Sequence, residues 1–318
     1  YPNEVDGLRV WLSADSNVDF SIPTKKVNYW ADRSGNGNDV AQTDKSLQPL
    51  RYTYAIDPLP YYGNVGDFSG KTRINFPSGT LDYLSSTDIT LNPFNTGDFT
   101  VFIVAAYETD LTSTPESPFG VEPLVVGQGQ IELGRQDVAE YEATVSDGTN
   151  TIKTTLNAVT GQVTGSIMTY KLDADTLTLY LDNDSVINSE TTPSFDATGK
   201  FLFGEMFVGG LPSVPTSAFD GSVAEIICYN KALSDGVNGT LTNFIDPYGH
   251  GTSTLNRARD YIGSYSILNS VNLPIVHSIR WSGGLNEFEE PQATNYNSST
   301  QKGDVVNVIF DIYQVNEY

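Results

Sequence analysis

The clearest hydrophobic pattern in the chain lies at residues 219–233, which read F-D-G-S-V-A-E-I-I-C-Y-N-K-A-L. Asp220-Gly221 is a turn signal, because glycine adopts positive φ without steric cost. Strict alternation then places Val223 and Glu225 on one face of a strand, and both faces are otherwise apolar. The pattern predicts a strand covered on both sides in a β-sandwich, with Cys228, the single cysteine, buried in it.

Short apolar or alternating runs, separated by Gly, Asn and Asp turns, recur through the preceding residues and predict an all-β antiparallel sandwich. Residues 99–107 (F-T-V-F-I-V-A-A-Y) predict a central strand, whereas residues 111–123 predict a proline-bearing loop. No repeat of solenoid or propeller length is apparent. The other predicted strands are 7–14, 27–31, 74–76, 81–84, 124–126, 130–133, 141–146, 151–156, 165–172, 176–181, 185–189, 201–204 and 206–209.

The C-terminal part of the chain differs from the rest. Residues 1–249 carry 32 acidic and 13 basic side chains, and residues 250–318 carry 7 and 4. This shift predicts a boundary near residues 249–251, between a large domain at 1–249 and a small β-rich attachment or oligomerisation unit at 250–318. Residues 304–315 predict a long apolar strand, which invites pairing with a partner edge. The candidate interface residues are Trp281, Val306, Val308, Phe310 and Ile312.

The whole chain has a net charge of −22, from 39 acidic and 17 basic residues. Such a charge repels nucleic acid and anionic membranes, so neither is an expected partner. No apolar run approaches the ~20 residues of a membrane span. The sequence starts at Tyr1 rather than Met, which predicts a processed or partly observed chain, and targeting information is not visible in it.

Four stretches carry a resemblance to a known family. They are 10–15 (V-W-L-S-A-D), 30–38 (W-A-D-R-S-G-N-G-N), 177–182 (L-T-L-Y-L-D) and 219–233. In this order they resemble the laminin-G-like, concanavalin A-like lectin-glucanase jelly rolls over residues 1–249. The resemblance implies that Trp30 packs in the core and that Asp32 and Ser34 tie their loop. It leaves function open, because the fold hosts lectins, glycosidases, adhesins and spacer modules.

Catalytic motifs are missing from the sequence, which predicts a protein that is not an enzyme. Some relatives of the fold carry an E-x-D-x-x-E strand, but Glu4-Val5-Asp6 is followed by Arg9 where the last acid would stand. The two histidines, His250 and His277, form no zinc or nucleophile motif. Catalysis by two carboxylates distant in sequence remains an alternative.

The resemblance also implies a possible Ca²⁺ ion at the sheet rim, because many laminin-G-like jelly rolls hold one with Asp, Asn and backbone oxygens. The alternative is that acidic residues in turns are solvated and bond to the nearby backbone. The candidate pairs are Asp15 with Asp19, Asp32 with Asp39, and Asp182 with Asp184.

A tyrosine-rich loop region offers a candidate sugar site, because sugar C–H faces stack on aromatic rings and hydroxyls need polar partners. The alternative is that these tyrosines cover the open end of the sandwich, while Trp11 and Trp30 are interpreted as core. The candidate ligand-binding residues are Tyr52, Tyr54, Asp57, Tyr61, Tyr62 and Asn64.

The sequence therefore favours a non-catalytic surface recognition or adhesion protein that binds glycans, either secreted or displayed on a virus particle as a fibre or capsid decoration. A polysaccharide-active glycoside hydrolase and a purely structural decoration protein are the alternatives. The expected partners are a cell-surface glycan or polysaccharide and other protein chains through residues 250–318, in an oligomer or larger assembly. The expected location is extracellular or on the virion surface.

Overall fold

The computed structural model describes residues 2–52, 72–77, 79–86, 94, 96–107, 116–137, 140–157, 166–181, 186–201, 204–213, 218–233, 279–282 and 307–310. Within them the chain forms a 3₁₀ turn at Pro2–Glu4 and nineteen strands. No helix in this part of the chain is long and apolar enough to cross a membrane. The strands are β1 Leu8–Ser13, β2 Val18–Phe20, β3 Val27–Trp30, β4 Val40–Ala41, β5 Leu50–Tyr52, β6 Arg73–Phe76, β7 Leu84–Ser86, β8 Phe99–Tyr107, β9 Glu116–Pro123, β10 Gln130–Asp137, β11 Glu140–Ser146, β12 Thr151–Asn157, β13 Ser166–Asp173, β14 Thr176–Leu181, β15 Val186–Thr191, β16 Gly204–Val208, β17 Gly221–Tyr229, β18 Ile279–Ser282 and β19 Asn307–Phe310.

The strands up to β17 form two antiparallel sheets within one compact unit, which confirms the predicted all-β sandwich. The eight-stranded sheet has the order β15-β14-β13-β8-β17-β6-β5, with β1 also paired to β17. Strand β17 pairs along one edge with β8 and along the other first with β6 and then with β1. The predicted hairpin of β13 and β14 is confirmed, with Asp173 opposite Thr176.

The nine-stranded sheet has the order β12-β11-β10-β9-β16-β7-β4-β3-β2. The prediction of a loop at 111–123 was wrong for Glu116–Pro123, because these residues form β9 in the middle of this sheet. Pro118 is tolerated because it falls beside the shift in β9–β10 register between Leu133 and Arg135, and pairing with β16 starts only at Phe119. The strand predicted at 124–126 was also wrong, since these residues form the exposed connection between β9 and β10.

Two apolar clusters flank the eight-stranded sheet. Alternate residues of β8 belong to different clusters: Ile103 points into the core between the sheets, and Phe102 points to the opposite face. All nine residues of β17 are buried, which confirms that this strand is covered on both sides, and Cys228 is buried as predicted. Trp30 is fully buried in the main core and Trp11 is buried in the second cluster, as expected.

A β-bulge in β17 corrects the predicted alternation of that strand. The register with β8 shifts between Val223 and Glu225. Val223 consequently joins the core between the sheets, whereas Ala224 and Ile227 join the opposite cluster. A bulge inserts one extra residue into a strand, so residues two positions apart across the bulge no longer point to the same face. The faces assigned by strict alternation were therefore wrong from Val223 to Glu225.

Strands β18 and β19 belong to a second compact unit, in which Trp281 lies opposite Val308. Their pairing supports β structure in the C-terminal part of the chain. The predicted domain boundary at residues 249 and 250 lies outside the described residues and stays a prediction.

Candidate functional site

The outer face of the nine-stranded sheet carries polar side chains that half-buried strands bring into register. In β11, Tyr141, Ala143 and Val145 are buried and the intervening residues are partly exposed. Alternation therefore puts Glu142 and Thr144 on the outer face, and Thr144 Oγ1 donates to Glu142 Oε1 at 3.0 Å.

Strand pairing aligns these side chains in two rows. Glu132 of β10 lies opposite Thr144, which lies opposite Lys153 of β12. In the adjacent row, Gly134 lies opposite Glu142. Lys153 Nζ is 2.7 Å from Glu142 Oε2, so a cation and a carboxylate bridge the rows.

A shallow recess, partly open to solvent, lies at the β9–β10 end of these rows. Glycine at position 134 is a steric requirement, because a Cβ atom there would lie 1.9 Å from the carbonyl oxygen of Glu116. The close approach of β9 to β10 thus brings the backbone of Glu116 to the recess. The Glu116 side chain lies on the opposite face of the sheet, because Glu116 pairs with Arg135 and Arg135 pairs with the core residue Tyr141. The recess is lined by Glu116, Ser117, Glu132, Gly134, Arg135 and Glu142.

Glu116 is the most perturbed acid near the recess, although its side chain lies on the core-facing side of β9. Its side chain is only 5% exposed, and its Oε2 has no hydrogen-bond partner. Burial raises the pKa of Glu116 to about 8, and the nearby Asp220 carboxylate adds to the rise. The backbone N–H of Asp220 and the Arg135 guanidinium act in the opposite direction. This carboxyl group therefore lies near Asp220, Arg135 and Tyr107 on the core side of the sheet, and the acids on the outer face are Glu132 and Glu142.

Glu132 and Glu142 have different surroundings, although they are neighbours. Burial raises the pKa of Glu132, and the negative charge of Glu142 adds to the rise. Glu142 itself is ion-paired with Lys153. The recess therefore offers carboxyl groups in unlike electrostatic environments, which can accept hydrogen bonds or, when protonated, donate them.

Aromatic side chains form a rigid wall behind the recess. The Arg135 guanidinium lies 5.1 Å from the ring centroid of Tyr107, and Arg135 is 4% exposed. Tyr107 packs edge-on against Tyr141, with ring centroids 6.0 Å apart. The hydroxyl of Tyr170 donates to the Gly134 carbonyl at 3.4 Å. These contacts fix the backbone of β10 where it borders the recess.

The sugar-site residues predicted from the sequence lie away from the recess or outside the residues that the structure describes. Tyr52 is partly exposed at the end of β5, and Lys25 Nζ lies 5.3 Å from its ring centroid. The structure does not bring Tyr52 to the recess, which other residues line. The remaining candidates, Tyr54, Asp57, Tyr61, Tyr62 and Asn64, lie outside the described residues, so their role stays a prediction.

The Asp32 loop shows how one calcium candidate is used. Asp32 Oδ1 accepts the backbone N–H groups of Trp11 and Ser34, both at 2.8 Å, and Oδ2 accepts from Asn38 N at 3.0 Å and Ser34 Oγ at 2.6 Å. Four donors fill the acceptor sites of this carboxylate, so it does not fit a calcium ligand. The predicted tying of this loop by Asp32 and Ser34 is confirmed.

The other metal candidates also make local hydrogen bonds. Asp39 Oδ1 accepts from Asp32 N at 2.7 Å, Asp15 Oδ1 accepts from Thr72 N at 2.9 Å, and Asp19 Oδ2 accepts from Asn28 Nδ2 at 3.0 Å. Across the described residues, no group of three or more His, Cys, Asp or Glu side chains is placed to hold a metal ion. Asp182 and Asp184 lie outside the description, and calcium binding remains a prediction.

The candidate interface residues are described only in part. Trp281 lies in β18, and Val308 and Phe310 lie in β19, where Phe310 is opposite Ile279. Val306 and Ile312 lie outside the described residues. An interface through this unit remains a prediction.

Sequence reasoning missed Glu116, Glu132, Arg135 and Glu142, because no motif links these residues. Their proximity depends on β9 being a strand, and its prolines concealed that. One usable signal was Gly134, since a glycine inside an otherwise regular strand often marks a close backbone approach.

No protein-family model and no curated protein matches this chain. Among solved structures, the CBM40 module of the Ruminococcus gnavus IT-sialidase is 17% identical, and the match covers 44% of this chain and 80% of that chain with a TM-score of 0.37. The NanB sialidase from Streptococcus pneumoniae is 14% identical over 64% of this chain and 29% of that chain, with a TM-score of 0.42. The binding domain of botulinum neurotoxin DC is 9% identical, and the match covers 74% of this chain and 50% of that chain with a TM-score of 0.41. Likeness at this level establishes neither a family nor a ligand, and the predicted laminin-G-like relationship stays a prediction.

Proposed function

We propose that this protein is a non-catalytic glycan-recognition module and that its ligand binds the recess on the outer face of the nine-stranded sheet. The observation that carries the proposal is the set of polar side chains that strand pairing presents together on this outer face, Glu132, Thr144, Glu142 and Lys153. Polar groups fixed side by side on a rigid sheet can bond to several hydroxyls of one ligand.

The surrounding polar side chains suit a polyhydroxylated ligand. Sugar hydroxyls both donate and accept, and planar carboxylates on a rigid sheet can accept from adjacent hydroxyls. Glu132 and Glu142 supply such acceptors in the recess, and Lys153 supplies a donor beside Glu142. This combination supports a glycan rather than an apolar ligand.

The test is a glycan array probed with the wild-type protein and with Glu132→Gln and Glu142→Gln. Each variant should weaken binding of the recognised glycan by about tenfold or more, since a hydrogen bond to a charged group contributes roughly 1.5–3 kcal/mol. Glu190→Gln is the matched control, because Glu190 is exposed on β15 in the other sheet. The proposal is wrong if no glycan binds, or if all three variants bind as the wild type does.

A second candidate function is glycoside hydrolysis. Glu132, with its raised pKa, lies beside Glu142, which pairs with Lys153, and unlike carboxyl groups of this kind can act as acid and base. Incubation of the recognised glycan with the protein, followed by assay of released reducing ends, separates the candidates. Turnover that disappears in both glutamine variants would replace the binding proposal with an enzymatic one.

We also propose that the C-terminal unit attaches the recognition domain to other chains at an extracellular or particle surface. The pairing of β18 with β19 and the apolar sequence at 304–315 support this proposal. A protein ending at Gly249 should be monomeric by light scattering while the full chain is oligomeric. If the shortened protein keeps the oligomeric state of the full chain, this attachment proposal fails.

A further inference from the structure

The row of outer-face residues that contains Glu132 continues across the whole nine-stranded sheet. Residues paired directly on neighbouring strands lie on the same face of a sheet. Their chain neighbours, among them Val121, Leu84 and Val40, belong to the core between the sheets, as alternation requires. Beyond Glu132 the row consists of Gly120 of β9, Phe207 of β16, Ser85 of β7, Ala41 of β4, Tyr29 of β3 and Asp19 of β2.

A short segment separates the recess from the far part of this row. A Cβ atom on Gly120 would lie 2.6 Å from Leu211 Cδ2, so Leu211 lies over β9 on the outer face. Leu211 is fully buried, and the backbone N–H of Ser213 donates to Glu122 Oε1 at 3.0 Å, which holds the segment in place. A ligand in the recess therefore reaches the far part of the row only if it is long enough to cross residues 209–213.

The far part of the row lies between two tyrosines whose side chains are held by the protein. Tyr83 packs edge-on against Phe207, with ring centroids 5.7 Å apart. The hydroxyl of Tyr29 donates to Asp39 Oδ2. Both tyrosines are partly exposed, and so are the small residues of the row between them. These small residues are Ala41 and Ser85.

We infer that the glycan is a linear chain that crosses the strands and that its second contact is the surface formed by Tyr29, Ala41, Ser85 and Tyr83, the Tyr29–Tyr83 subsite. The inference rests on the proposed glycan-binding function. The C–H face of a sugar ring can pack on a tyrosine ring, and small residues leave room beside it. Side chains that are already fixed lose little conformational freedom on binding. The described residues that line the recess include no aromatic side chain, so the subsite adds a contact of a different kind.

The spacing of the strands sets the length of glycan that this binding mode needs. Neighbouring strands lie about 4.8 Å apart, which is close to the length of one sugar unit. Ser85 is three strands away from Glu132, and Tyr29 is five strands away. These separations correspond to about 14 Å and about 24 Å. A disaccharide in the recess falls short of the subsite, whereas a chain of about six units spans both.

The experiment measures affinity against chain length by biolayer interferometry, with linear oligosaccharides of two to eight units from glucans, mannans, xylans and chitin. In a series that binds, affinity should rise at least about tenfold between two and six units. Tyr29→Ala and Tyr83→Ala should each weaken binding of the six-unit chain about fivefold and leave the two-unit chain unaffected.

Tyr29→Phe and Tyr83→Phe are the matched controls, because they keep the ring, and they should bind as the wild type does. Ala41→Gln removes no aromatic ring but fills the space between the tyrosines, so it should also weaken only the long chains. Thermal unfolding of each variant checks that it is folded.

The two proposals fail in different ways in this experiment. If two-unit and six-unit chains bind equally, if the alanine variants weaken both alike or neither, or if no linear chain binds while other glycans on the array do, the subsite inference is wrong and glycan binding stands. If no oligosaccharide and no glycan on the array binds, both proposals are wrong.

Discussion

The outer faces of the two sheets differ in what covers them. In the eight-stranded sheet, every residue of β8 and β17 is buried, so both faces of these strands are apolar core. In the nine-stranded sheet, β11 and β12 alternate between buried and partly exposed residues. Of these four strands, only β11 and β12 place polar side chains where a ligand can reach them. The candidate site is therefore on the sheet with the weaker hydrophobic pattern.

Two buried glutamates, one in each sheet, accept hydrogen bonds from different parts of the fold. Glu225 of β17 is fully buried, and its Oε1 accepts the indole N–H of Trp11 at 2.6 Å. Glu116 of β9 is nearly as buried, and its carboxyl group accepts the backbone N–H of Asp220. Both carboxyl groups therefore contribute to the fold, and the acids that a ligand can reach are the partly exposed Glu132 and Glu142.

The largest expected effect is the pH dependence of stability in Glu116→Gln. The pKa of Glu116 is raised from 4.5 in the unfolded chain to about 8 in the folded protein. Between these values the unfolded chain loses its proton first, so wild-type stability falls as pH rises. The full loss is at most about 5 kcal/mol at about 1.4 kcal/mol per pKa unit, and it is complete above pH 8.

Glutamine does not titrate, so the variant should escape this loss. Urea unfolding of both proteins should give similar midpoints near pH 4 and a more stable variant near pH 9. Midpoints that run parallel across this range would mean that burial does not raise the pKa of Glu116.

The next effect tests whether the outer face of the eight-stranded sheet is a true core. Phe102 is fully buried there and packs edge-on against Tyr229, with ring centroids 6.1 Å apart. Phe102→Ala should lower the free energy of unfolding by about 3–5 kcal/mol. Thr144→Ala, on the outer face of the other sheet, should cost less than about 1 kcal/mol. Equal losses in chemical denaturation would show that the two faces are alike.

A smaller effect should follow Trp11→Phe, which removes the donor to Glu225. The buried carboxyl oxygen would lose its indole partner, at a cost of about 1–3 kcal/mol. Trp30→Phe is the matched control, since the Trp30 indole donates to the neutral carbonyl of Ser13 at 3.0 Å. The Trp11 hydrogen bond, at 2.6 Å, is shorter than that of Trp30, so denaturant unfolding should rank Trp11→Phe as more destabilising. The reverse ranking would argue that Glu225 does not depend on Trp11.

The smallest expected effect on stability is that of Lys153→Ala. Lys153 is 46% exposed and Glu142 18%, and partly exposed ion pairs contribute less than about 1 kcal/mol. Lys231→Ala is a matched control, because Lys231 forms a similar pair with Asp6 at 2.8 Å. Both variants should unfold at nearly the wild-type midpoint, and only Lys153→Ala should change glycan affinity on the array. A ligand effect from Lys231→Ala would place the site elsewhere.

The parts of the fold that sequence reasoning found are those where local pattern and burial agree. The apolar run at 99–107 and the turn at Asp147-Gly148 between β11 and β12 were predicted and are present. The bulge at Val223 to Glu225 was not predicted, because an extra residue in one strand depends on the register of its partner β8.

The candidate site could not be predicted either, because it also depends on how distant strands pair. Glu116 and Arg135 are opposite each other only because β9 pairs with β10. The charge of Asp220, about a hundred residues later in the chain, raises the pKa of Glu116. No spacing in the sequence encodes these proximities. The tyrosine-rich loop was predicted to bind sugar because its composition is unusual. The recess, in contrast, consists of common residue types that strand pairing brings together.

The junction of β17 with β1 has a consequence for how the chain folds. Trp11 and Glu225, which bond across this junction, are 214 residues apart in sequence. Contacts between such distant segments close large loops, and proteins dominated by them fold slowly. During synthesis, β1, β6 and β8 leave the ribosome long before β17, the strand that pairs with all three. Their edges and apolar faces must be kept from associating with other chains until β17 is synthesised. Efficient folding therefore depends on the time between the synthesis of these strands and that of β17.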